Sequence, residues 1–368
     1  MNKLKLFQKS EGFSDFISAF LAIAFGLLFG LIIIIASNPS NAVGGFIAML
    51  TGGFDDGLSS FGRVLFSAVP IIMTGLSVGF AFKTGLFNIG TPGQFITGAF
   101  VAIWIGIKWT FLPSSIHWLV AMLGGMVMGG IWALIPGIFK AYFNVNEVIS
   151  SIMMNYIGMY GVNYLVATHI YDTMRAQSLP VASSAMIPKM GMDQVFSGST
   201  ANGGILIAIL CVILVYVILN KTTFGFELKA CGINKDAAKY AGINEKRNIV
   251  LSIVIAGMLA GLGGALLYLG GTGKYITVVD ELAPEGFNGI AVALLGMNNP
   301  IGILFAGIFV SYMNYGGFVM QLHGFAPQIV DIIISCIIYF AAFSMMVKLL
   351  INQHRLRKAK SEEGGKQS

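Results

Sequence analysis

Long runs of apolar residues without a charge constrain the fold of this chain more than any other feature. The first run, residues 16–36, is long enough to cross the hydrocarbon core of a membrane as one helix. The runs are continuous rather than alternating, which excludes a membrane β-barrel. Only 10% of the residues are charged and 56% are hydrophobic, so a soluble globular domain is excluded as well. We therefore predict an all-α, polytopic membrane protein.

About ten segments are predicted to cross the membrane, and one of them, residues 289–297, is short. They comprise residues 16–36, 64–82, 95–111, 118–139, 148–167, 203–219, 249–269, 289–297, 301–320 and 329–347. We predict a single transmembrane domain over residues 16–350, with a basic lead-in at residues 1–15 and a basic tail at residues 351–368. The polar stretches that we place outside the cell are residues 38–63, 168–202 and 270–288.

The distribution of Lys and Arg supports an even number of crossings with both termini in the cytoplasm. On this topology, 17 of the 22 Lys and Arg residues lie on the inner side, as the positive-inside tendency requires. Merging residues 289–320 into one crossing would place the basic tail outside. The net charge of +6 is then a topological signal, and we expect no nucleic-acid partner.

One long polar segment, residues 220–248, lies between two apolar runs. Its middle carries an N-cap residue, an acidic first turn, strong helix formers and a C-terminal glycine, supplied by Asn234, Asp236, Ala237, Ala238 and Gly242. A basic connecting loop explains the charge of this segment but not the capped helix. The small side chains suit the groove of a partner protein. Both interpretations, a plain cytoplasmic loop and a docking element, stay open at this point.

Two polar interruptions, residues 88–93 and 298–300, break the apolar pattern in the two halves of the chain. Broken helices persist at membrane depth only where protein or a watery cavity covers the freed backbone groups. Paired interruptions are typical of transport sites and inverted repeats. Ordinary turns at the membrane surface are the alternative. Asn88 and Gln94 suit an uncharged polar solute, because an amide both donates and accepts hydrogen bonds.

The scarcity of ionisable side chains in the apolar runs bears on the energy source. Asn155 is the clearly internal amide, and no carboxylate is well placed to couple transport to a proton or sodium gradient. The chain also has no phosphate-binding loop, since residues 270–275 lack the required spacing. We therefore expect the energy for transport to come from another subunit that docks on the inner face. The cysteines, Cys211, Cys231 and Cys336, show no disulfide or metal-ligand pattern.

Four motifs in order carry a resemblance that extends from the second apolar run to the last. They are GLFNIGTPGQ at residues 85–94, KAYFNVNEVISSIMMNYI at 140–157, TTFGFELKACGINKDAAKYAGI at 222–243 and GFNGIAVALLGMNNPIGI at 286–303. Together they resemble the permease subunits of bacterial ABC importers of the branched-chain amino acid, ribose and nucleoside group. Within that group the chain looks most like the nucleoside, or basic membrane protein, branch.

The resemblance implies a fold of about ten helices in the bacterial cytoplasmic membrane and a heterodimer with a sister permease. It also implies an ATPase subunit, which holds ATP and magnesium, and an extracytoplasmic substrate-binding lipoprotein; this chain itself would hold no cofactor. In the family, the segment that follows a T-x-x-G motif docks on the ATPase. The matching residues here are Gly225, Asn234, Lys235, Asp236, Ala237, Ala238 and Gly242. The chain departs from the family at Pro92, where a glutamate is frequent.

Our hypothesis is a permease, not an enzyme, that translocates nucleosides or a related neutral, sugar-containing solute by using ATP hydrolysis in a partner. The residues that we expect along the solute path are Asn88, Gln94, Asn155, Asn288, Phe87 and Phe287. The two phenylalanines either stack on a base or simply pack in the membrane. Asn146 and Glu147 open the fifth run as a helix cap. The alternative is a stand-alone secondary carrier or facilitator in which the polar segment is only a connection.

Overall fold

A computed structural model describes residues 21–340 apart from residues 22 and 272. The predicted lead-in at residues 1–15, the start of the first crossing, the end of the last crossing and the basic tail lie outside the described residues. The fold of the described part is helical, with one two-stranded hairpin, β1 (Tyr171–Asp172) and β2 (Gln177–Ser178). The hairpin lies in the predicted external stretch 168–202, in which we predicted no strand.

The helices follow the apolar runs closely. They are α1 (Ile23–Ser37), α2 (Ala42–Thr51), α3 (Leu58–Lys83), α4 (Thr91–Lys108), α5 (Ser114–Phe143), α6 (Glu147–His169), α7 (Met192–Val195), α8 (Gly204–Lys221), α9 (Thr223–Ile233), α10 (Lys235–Tyr240), α11 (Glu245–Tyr268), α12 (Pro284–Leu295), α13 (Pro300–Met320) and α14 (Gln328–Phe340). Of these, α3, α5, α8, α11 and α13 are long and apolar enough to cross a membrane. α4, with 18 residues, and α6, with 23, are less apolar than these five helices.

Several helices begin earlier than the sequence predicted, and two of them do so by five residues or more. α3 starts at Leu58, six residues before the expected residue 64, and α12 starts at Pro284, five residues before the expected residue 289. The extra turns of α3 include polar residues that a helix end tolerates, because long side chains such as Arg63 can reach water. In α12 the proline occupies the first helical position, where its missing N–H costs nothing. Part of each predicted external stretch is therefore helix.

Residues 53–312 form one compact unit, built around α3 and α11. In the most apolar stretch of α3, 89% of the residues are buried, against 33% for α5 and 39% for α8. The burial places α3 at the centre of the unit and α5 and α8 at its edge. A helix that is buried on all sides must contact other helices rather than lipid.

Helices α4, α5 and α11 approach one another backbone to backbone. A Cβ atom on Gly98 would lie 2.5 Å from the Cα of Gly261 and 2.7 Å from the carbonyl oxygen of Gly125. Such spacing is possible only where small residues face each other. The glycines of α11 thus allow this helix to pack closely against α4 and α5.

The second compact unit contains α1, α2, the end of α13 from residue 313 onward, and α14. Within it, Gly26 and Gly30 of α1 lie against Ile337 and Ile333 of α14. The side-chain amide of Asn41 donates a hydrogen bond to the backbone oxygen of His323 at 3.2 Å. These contacts connect the described start of the chain with its described end.

Candidate transport and coupling sites

The first predicted interruption, residues 88–93, coincides only in part with the break between α3 and α4, which covers residues 84–90 because α4 already begins at Thr91. Two buried amides hold this break. The Asn88 Nδ2 atom donates to Gln94 Oε1 at 2.8 Å, and Gln94 Nε2 donates to Asn88 Oδ1 at 3.0 Å. Asn88 Nδ2 also lies 3.0 Å from the Ser77 hydroxyl of α3. Both amides are fully buried. Their hydrogen-bonding capacity is largely satisfied within the chain, so each stabilises the break.

Asn155 in the middle of α6 holds the same break from the other side. Its Oδ1 atom accepts the backbone N–H of Gly93 at 2.9 Å, and its Nδ2 atom donates to the backbone oxygen of Ile89 at 2.9 Å. Backbone groups at a helix start have no partner within the helix. The Asn155 side chain supplies a hydrogen-bond partner for two backbone groups at the start of α4. The solute-path role that the sequence suggested for Asn88, Gln94 and Asn155 stays a prediction.

The second predicted interruption is the turn between α12 and α13. Met297 and Asn298 both have a positive φ of 54° there, which is uncommon for residues other than glycine. The Oδ1 atom of Asn298 is buried and has no hydrogen-bond partner among the described residues. It lies beside Gly79 of α3. Both interruptions therefore contact the same buried stretch of α3.

The first turns of α4 and α12 meet next to this stretch. A Cβ atom on Gly286 would lie 2.6 Å from the Cα of Pro92, so the two helix starts touch directly. The Thr74 hydroxyl of α3 donates to the backbone oxygen of Glu285 at 2.9 Å. Thr74 is about 24 Å from the Leu58 end of α3 and about 14 Å from the Lys83 end. Both short helices therefore begin deep within the helical unit.

This arrangement changes the interpretation of three residues near the start of α12. Glu285 and Asn288 are half-buried and Phe287 is exposed, and none of the three lies in an irregular external loop. Glu285 sits one residue from Gly286, which contacts Pro92. A carboxylate is thus present near the position where the family often has a glutamate. The proline at the start of α12 was the signal that could have located this helix.

Phe87, the other phenylalanine that we predicted along the solute path, packs against Phe82 with 5.2 Å between ring centres.

The polar segment contains two helices rather than one. The predicted short helix is confirmed as α10: Asn234 Oδ1 accepts the N–H of Ala237 at 3.0 Å, and Gly242 follows the helix with a φ of 81°. The preceding helix α9 was not predicted. It starts at a tight corner, where the Thr222 hydroxyl accepts the N–H of Gly225 at 3.0 Å. Gly225 is therefore part of the corner between α8 and α9.

The exposed face of this segment differs from the predicted one. Ala237 is exposed but Ala238 is buried against its own chain. The most exposed large apolar side chains are Ile233, at 88% exposure, and Tyr240, at 95%, followed by Phe226 of α9 at 69%. Lys235 and Asp236, at the start of α10, come between these two residues in the sequence and are at least partly exposed. The exposed surface of the segment is therefore a mixture of apolar and charged residues and not the small-residue face that we predicted.

The polar segment touches the first helix break directly. A Cβ atom on Gly232 of α9 would lie 2.8 to 2.9 Å from backbone atoms of Lys83, Thr84 and Gly85. The Thr84 hydroxyl is also 2.6 Å from the Ser252 hydroxyl of α11. Because main chain meets main chain here, a displacement of α9 must also displace the start of the break.

The corner between α5 and α6 is held by polar contacts near the same end of the bundle. Lys140 Nζ lies 2.7 Å from Glu147 Oε2, and Asn146 Oδ1 accepts the N–H of Val148 at 2.8 Å. The Lys246 ammonium lies 5.2 Å from the ring centre of Tyr142. The predicted capping role of Asn146 and Glu147 is confirmed.

Comparison with known families agrees with this architecture. The model of the branched-chain amino acid transport system / permease component family matches residues 60–342 of the chain. The matched range contains both helix breaks and the whole polar segment. The chain belongs to this permease family. It is therefore a multi-pass membrane protein of the transport type, as the resemblance implied.

Individual relatives place this permease more narrowly. It is 37% identical over 334 residues to the guanosine ABC transporter permease protein NupP of Bacillus subtilis, covering 90% of this chain and 94% of NupP. It is 36% identical over 344 residues to the nucleoside ABC transporter permease protein NupB of Lactococcus lactis, covering 92% and 94%. NupQ, a second guanosine ABC transporter permease of Bacillus subtilis, is 26% identical over 257 residues, covering 67% and 77%. No solved structure matches this permease.

Proposed function

We propose that this permease carries nucleosides inward across the cytoplasmic membrane as one subunit of an ABC importer. The observation that carries the proposal is the likeness to NupP and NupB over nine tenths of the chain, including both helix breaks. The geometry supports a transporter of neutral solutes. Two short helices, α4 and α12, begin deep within the unit, and broken helices of this kind accompany binding sites in many transporters.

ATP hydrolysis in a partner subunit drives the transport. The partner ATPase holds the ATP and magnesium and docks on the polar segment at the cytoplasmic face. Ile233 and Tyr240 are the contacts that we assign to it, since large exposed apolar groups are typical anchors of protein interfaces. Lys235, Asp236 and Ala237 lie between these two anchors in the sequence. Asn234 and Gly242 fix the shape of α10, and Gly225 fixes the corner before α9.

The direct contact of Gly232 with residues 83–85 supports a mechanical route from the ATPase to the solute path. Movement of α9 and α10 displaces the first helix break, and the break displaces the start of α4. Because α4 touches α12 at Gly286 and Pro92, the second short helix is displaced as well. The solute path then opens alternately toward the two sides of the membrane.

Two further partners complete the importer. A sister permease forms a heterodimer with this chain, in agreement with the two guanosine permeases, NupP and NupQ, of one organism. A substrate-binding lipoprotein delivers the nucleoside at the face opposite the polar segment, where residues 168–202 and the segment before α12 are located. Both chain termini lie in the cytoplasm.

Reconstitution into lipid vesicles tests the proposal. We expect ATP-dependent guanosine uptake only when this permease is combined with its sister permease, the ATPase and the binding protein. A secondary carrier would instead give gradient-driven guanosine flux with this chain alone. Flux from the single chain, or no nucleoside uptake from the full complex, would overturn the proposal. Competition by glucose and ribose in the same vesicles separates a nucleoside permease from a sugar permease.

A further inference from the structure

One exposed face of α6 carries three tyrosines, Tyr156, Tyr160 and Tyr164, at 48%, 55% and 67% exposure. Their spacing of four residues places them in a single stripe along the helix. None of the three hydroxyl groups makes a hydrogen bond within the described part of the chain. The stripe thus presents a row of unpaired hydrogen-bonding groups to whatever lies next to α6.

The exposed faces of the two helices at the edge of the unit are different. On α8 the large exposed side chains are Leu206, Leu210, Ile213, Leu214 and Val217, and on α5 residues 116–135 expose only Ile, Leu and Val among the large apolar side chains. Faces of this composition are suited to lipid. α6 also lacks the apolarity that α5 and α8 have. α6 also exposes Ile149, Met153 and Ile157, so the row of tyrosines, which has no counterpart on the exposed face of α8 or of residues 116–135 of α5, is the feature that indicates a different environment.

The position of the tyrosines excludes a simple membrane-surface role for two of them. Tyr156 is about 14 Å and Tyr160 about 20 Å along α6 from Glu147, in a helix of about 34 Å. Tyr164 is near enough to the far end to belong to an interfacial belt of aromatic residues. A phenol hydroxyl at the depth of Tyr156 finds no hydrogen-bond partner in lipid, which is costly.

The stripe runs beside the two short helices. Asn155, the neighbour of Tyr156, binds Gly93 and Ile89 at the start of α4. Further along, Asn163 donates to the backbone oxygen of Val279 at 2.8 Å, in the segment that leads to α12. The helix that carries the tyrosines thus contacts both the start of α4 and the segment that leads to α12, and Asn163, seven residues after Tyr156, lies on the tyrosine side of α6.

We infer that Tyr156 and Tyr160 line the solute path of this permease. Their rings stack on the flat face of a nucleobase or the apolar face of a sugar, and their hydroxyls hydrogen-bond to water and to the polar edges of the solute. This inference rests on the proposed function for the identity of the solute. The alternatives are that this face contacts the sister permease or lipid. Cysteine labelling and removal of single hydroxyls distinguish these alternatives from a solute path.

Cysteine labelling in vesicles containing the full importer tests whether the face is wet. Cys211, Cys231 and Cys336 are first replaced by alanine, and Tyr156→Cys, Tyr160→Cys and the lipid-face control Leu210→Cys are compared. A charged, water-soluble thiol reagent should modify the two stripe variants at least tenfold faster than the control. Guanosine should slow their modification several-fold.

The outcomes separate the inference from the proposed function. Modification of Tyr156→Cys no faster than Leu210→Cys overturns the inference in favour of lipid, and an oxidative cross-link to the sister permease overturns it in favour of a subunit interface. If Tyr156→Cys and Tyr160→Cys are modified fast but no transported solute slows the reaction, the solute does not contact these residues and the inference is overturned. A complex that transports glucose rather than guanosine, with glucose protecting the stripe, refutes only the nucleoside assignment.

Removal of single hydroxyls gives an independent test with little risk to folding. Tyr156→Phe should raise the KM for guanosine uptake about three- to tenfold while leaving the amount of assembled complex unchanged. Tyr164→Phe at the surface end of the stripe and Phe305→Leu on the exposed face of α13 are the controls, with KM unchanged. An unchanged KM for both Tyr156→Phe and Tyr160→Phe, or loss of the sister permease on purification, would contradict the inference.

Discussion

At the scale of single residues, the first helix break depends on the side-chain amide of Asn155. It pairs with the N–H of Gly93 and the carbonyl of Ile89, which have no other hydrogen-bond partners in the broken segment. The sequence identified Asn155 as the clearly internal amide of its apolar run, but it could not show what the amide binds. Only the fold brings residue 155 within hydrogen-bond distance of residues 89 and 93.

Replacing Asn155 by leucine should destabilise the protein. Two buried backbone groups lose their partners at a cost of about 1–3 kcal/mol each. We expect a lower midpoint of thermal unfolding in detergent and less assembled complex. Asn163→Leu, at a more exposed position of the same helix, is the matched control and should lower the midpoint less. Equal midpoints for the two variants would show that the Asn155 bonds do not hold the break.

Glu285 is the second residue whose importance emerged from the structure. Its carboxylate lies in the first turn of α12 and makes no hydrogen bond or ion pair within the described residues. We expect Glu285→Gln to keep the helix start and the amount of complex, but to lower guanosine uptake severalfold, because a charged acceptor binds a sugar hydroxyl more strongly than an amide does. Glu281→Gln, in the irregular segment before α12, is the control. Wild-type uptake by Glu285→Gln would exclude Glu285 from the solute path.

At the scale of elements, sequence reasoning succeeded where local signals agree and failed where they conflict. α10 was predicted because Asn234, two alanines and Gly242 all favour the same short helix. α9 was missed because Gly225 and Gly232 are poor helix formers; both glycines are needed for close contacts that no local signal reveals. The early start of α12 was missed because acidic residues and a proline at 280–285 indicate a loop when read without its neighbours.

The contact of α9 with the first helix break predicts a strong effect of Gly232→Ala. The added methyl group would lie within 2.9 Å of the backbone at residues 83–85, so α9 must move away from the break. We expect ATP hydrolysis by the assembled complex to continue while guanosine uptake falls at least tenfold. Gly137→Ala, where a Cβ has 3.5 Å to its nearest neighbour, controls for a methyl added between helices. Coupled transport in Gly232→Ala would refute the mechanical route.

The exposed face of the polar segment predicts which side chains bind the ATPase. We expect Tyr240→Ser and Ile233→Ser to reduce ATPase co-purification at least fivefold without changing the insertion of the permease. Ala241→Ser, at an exposed position just after α10, is a mild control. Ala238 is not suited to this test, because a bulky side chain at this buried position would displace α10 itself. If a protein that carries both Ile233→Ser and Tyr240→Ser still co-purifies with the full amount of ATPase, the docking site lies elsewhere.

At the scale of the whole molecule, the apolar runs predicted the all-α membrane fold and the placement of nearly every long helix. They could do so because a bilayer requires every crossing segment to satisfy its own backbone. The sequence could not predict which helices pack against one another. Which apolar faces meet depends on glycine contacts and buried amides from distant parts of the chain, such as Gly98 with Gly261 and Asn155 with Gly93.

The charge distribution predicts the orientation of the molecule in the membrane. We expect Tyr240→Cys, in the background without native cysteines, to react with an impermeant thiol reagent only after the cells are opened. Met174→Cys, on the hairpin loop between β1 and β2, should react in intact cells and serves as the opposite control. Labelling of residue 240 in intact cells would invert the topology and with it the assignment of the polar segment to the ATPase.

The glycine contacts among α4, α5 and α11 have a consequence for how this protein changes conformation. Packed helices slide past one another by rearranging the side chains between them. Near Gly98, Gly125 and Gly261 no such layer exists, since the main chains themselves are in contact. The three helices must therefore keep their mutual arrangement around these glycines through the whole transport cycle, and the moving parts have to be the first turns of α4, which precede Gly98, and the elements that surround the trio.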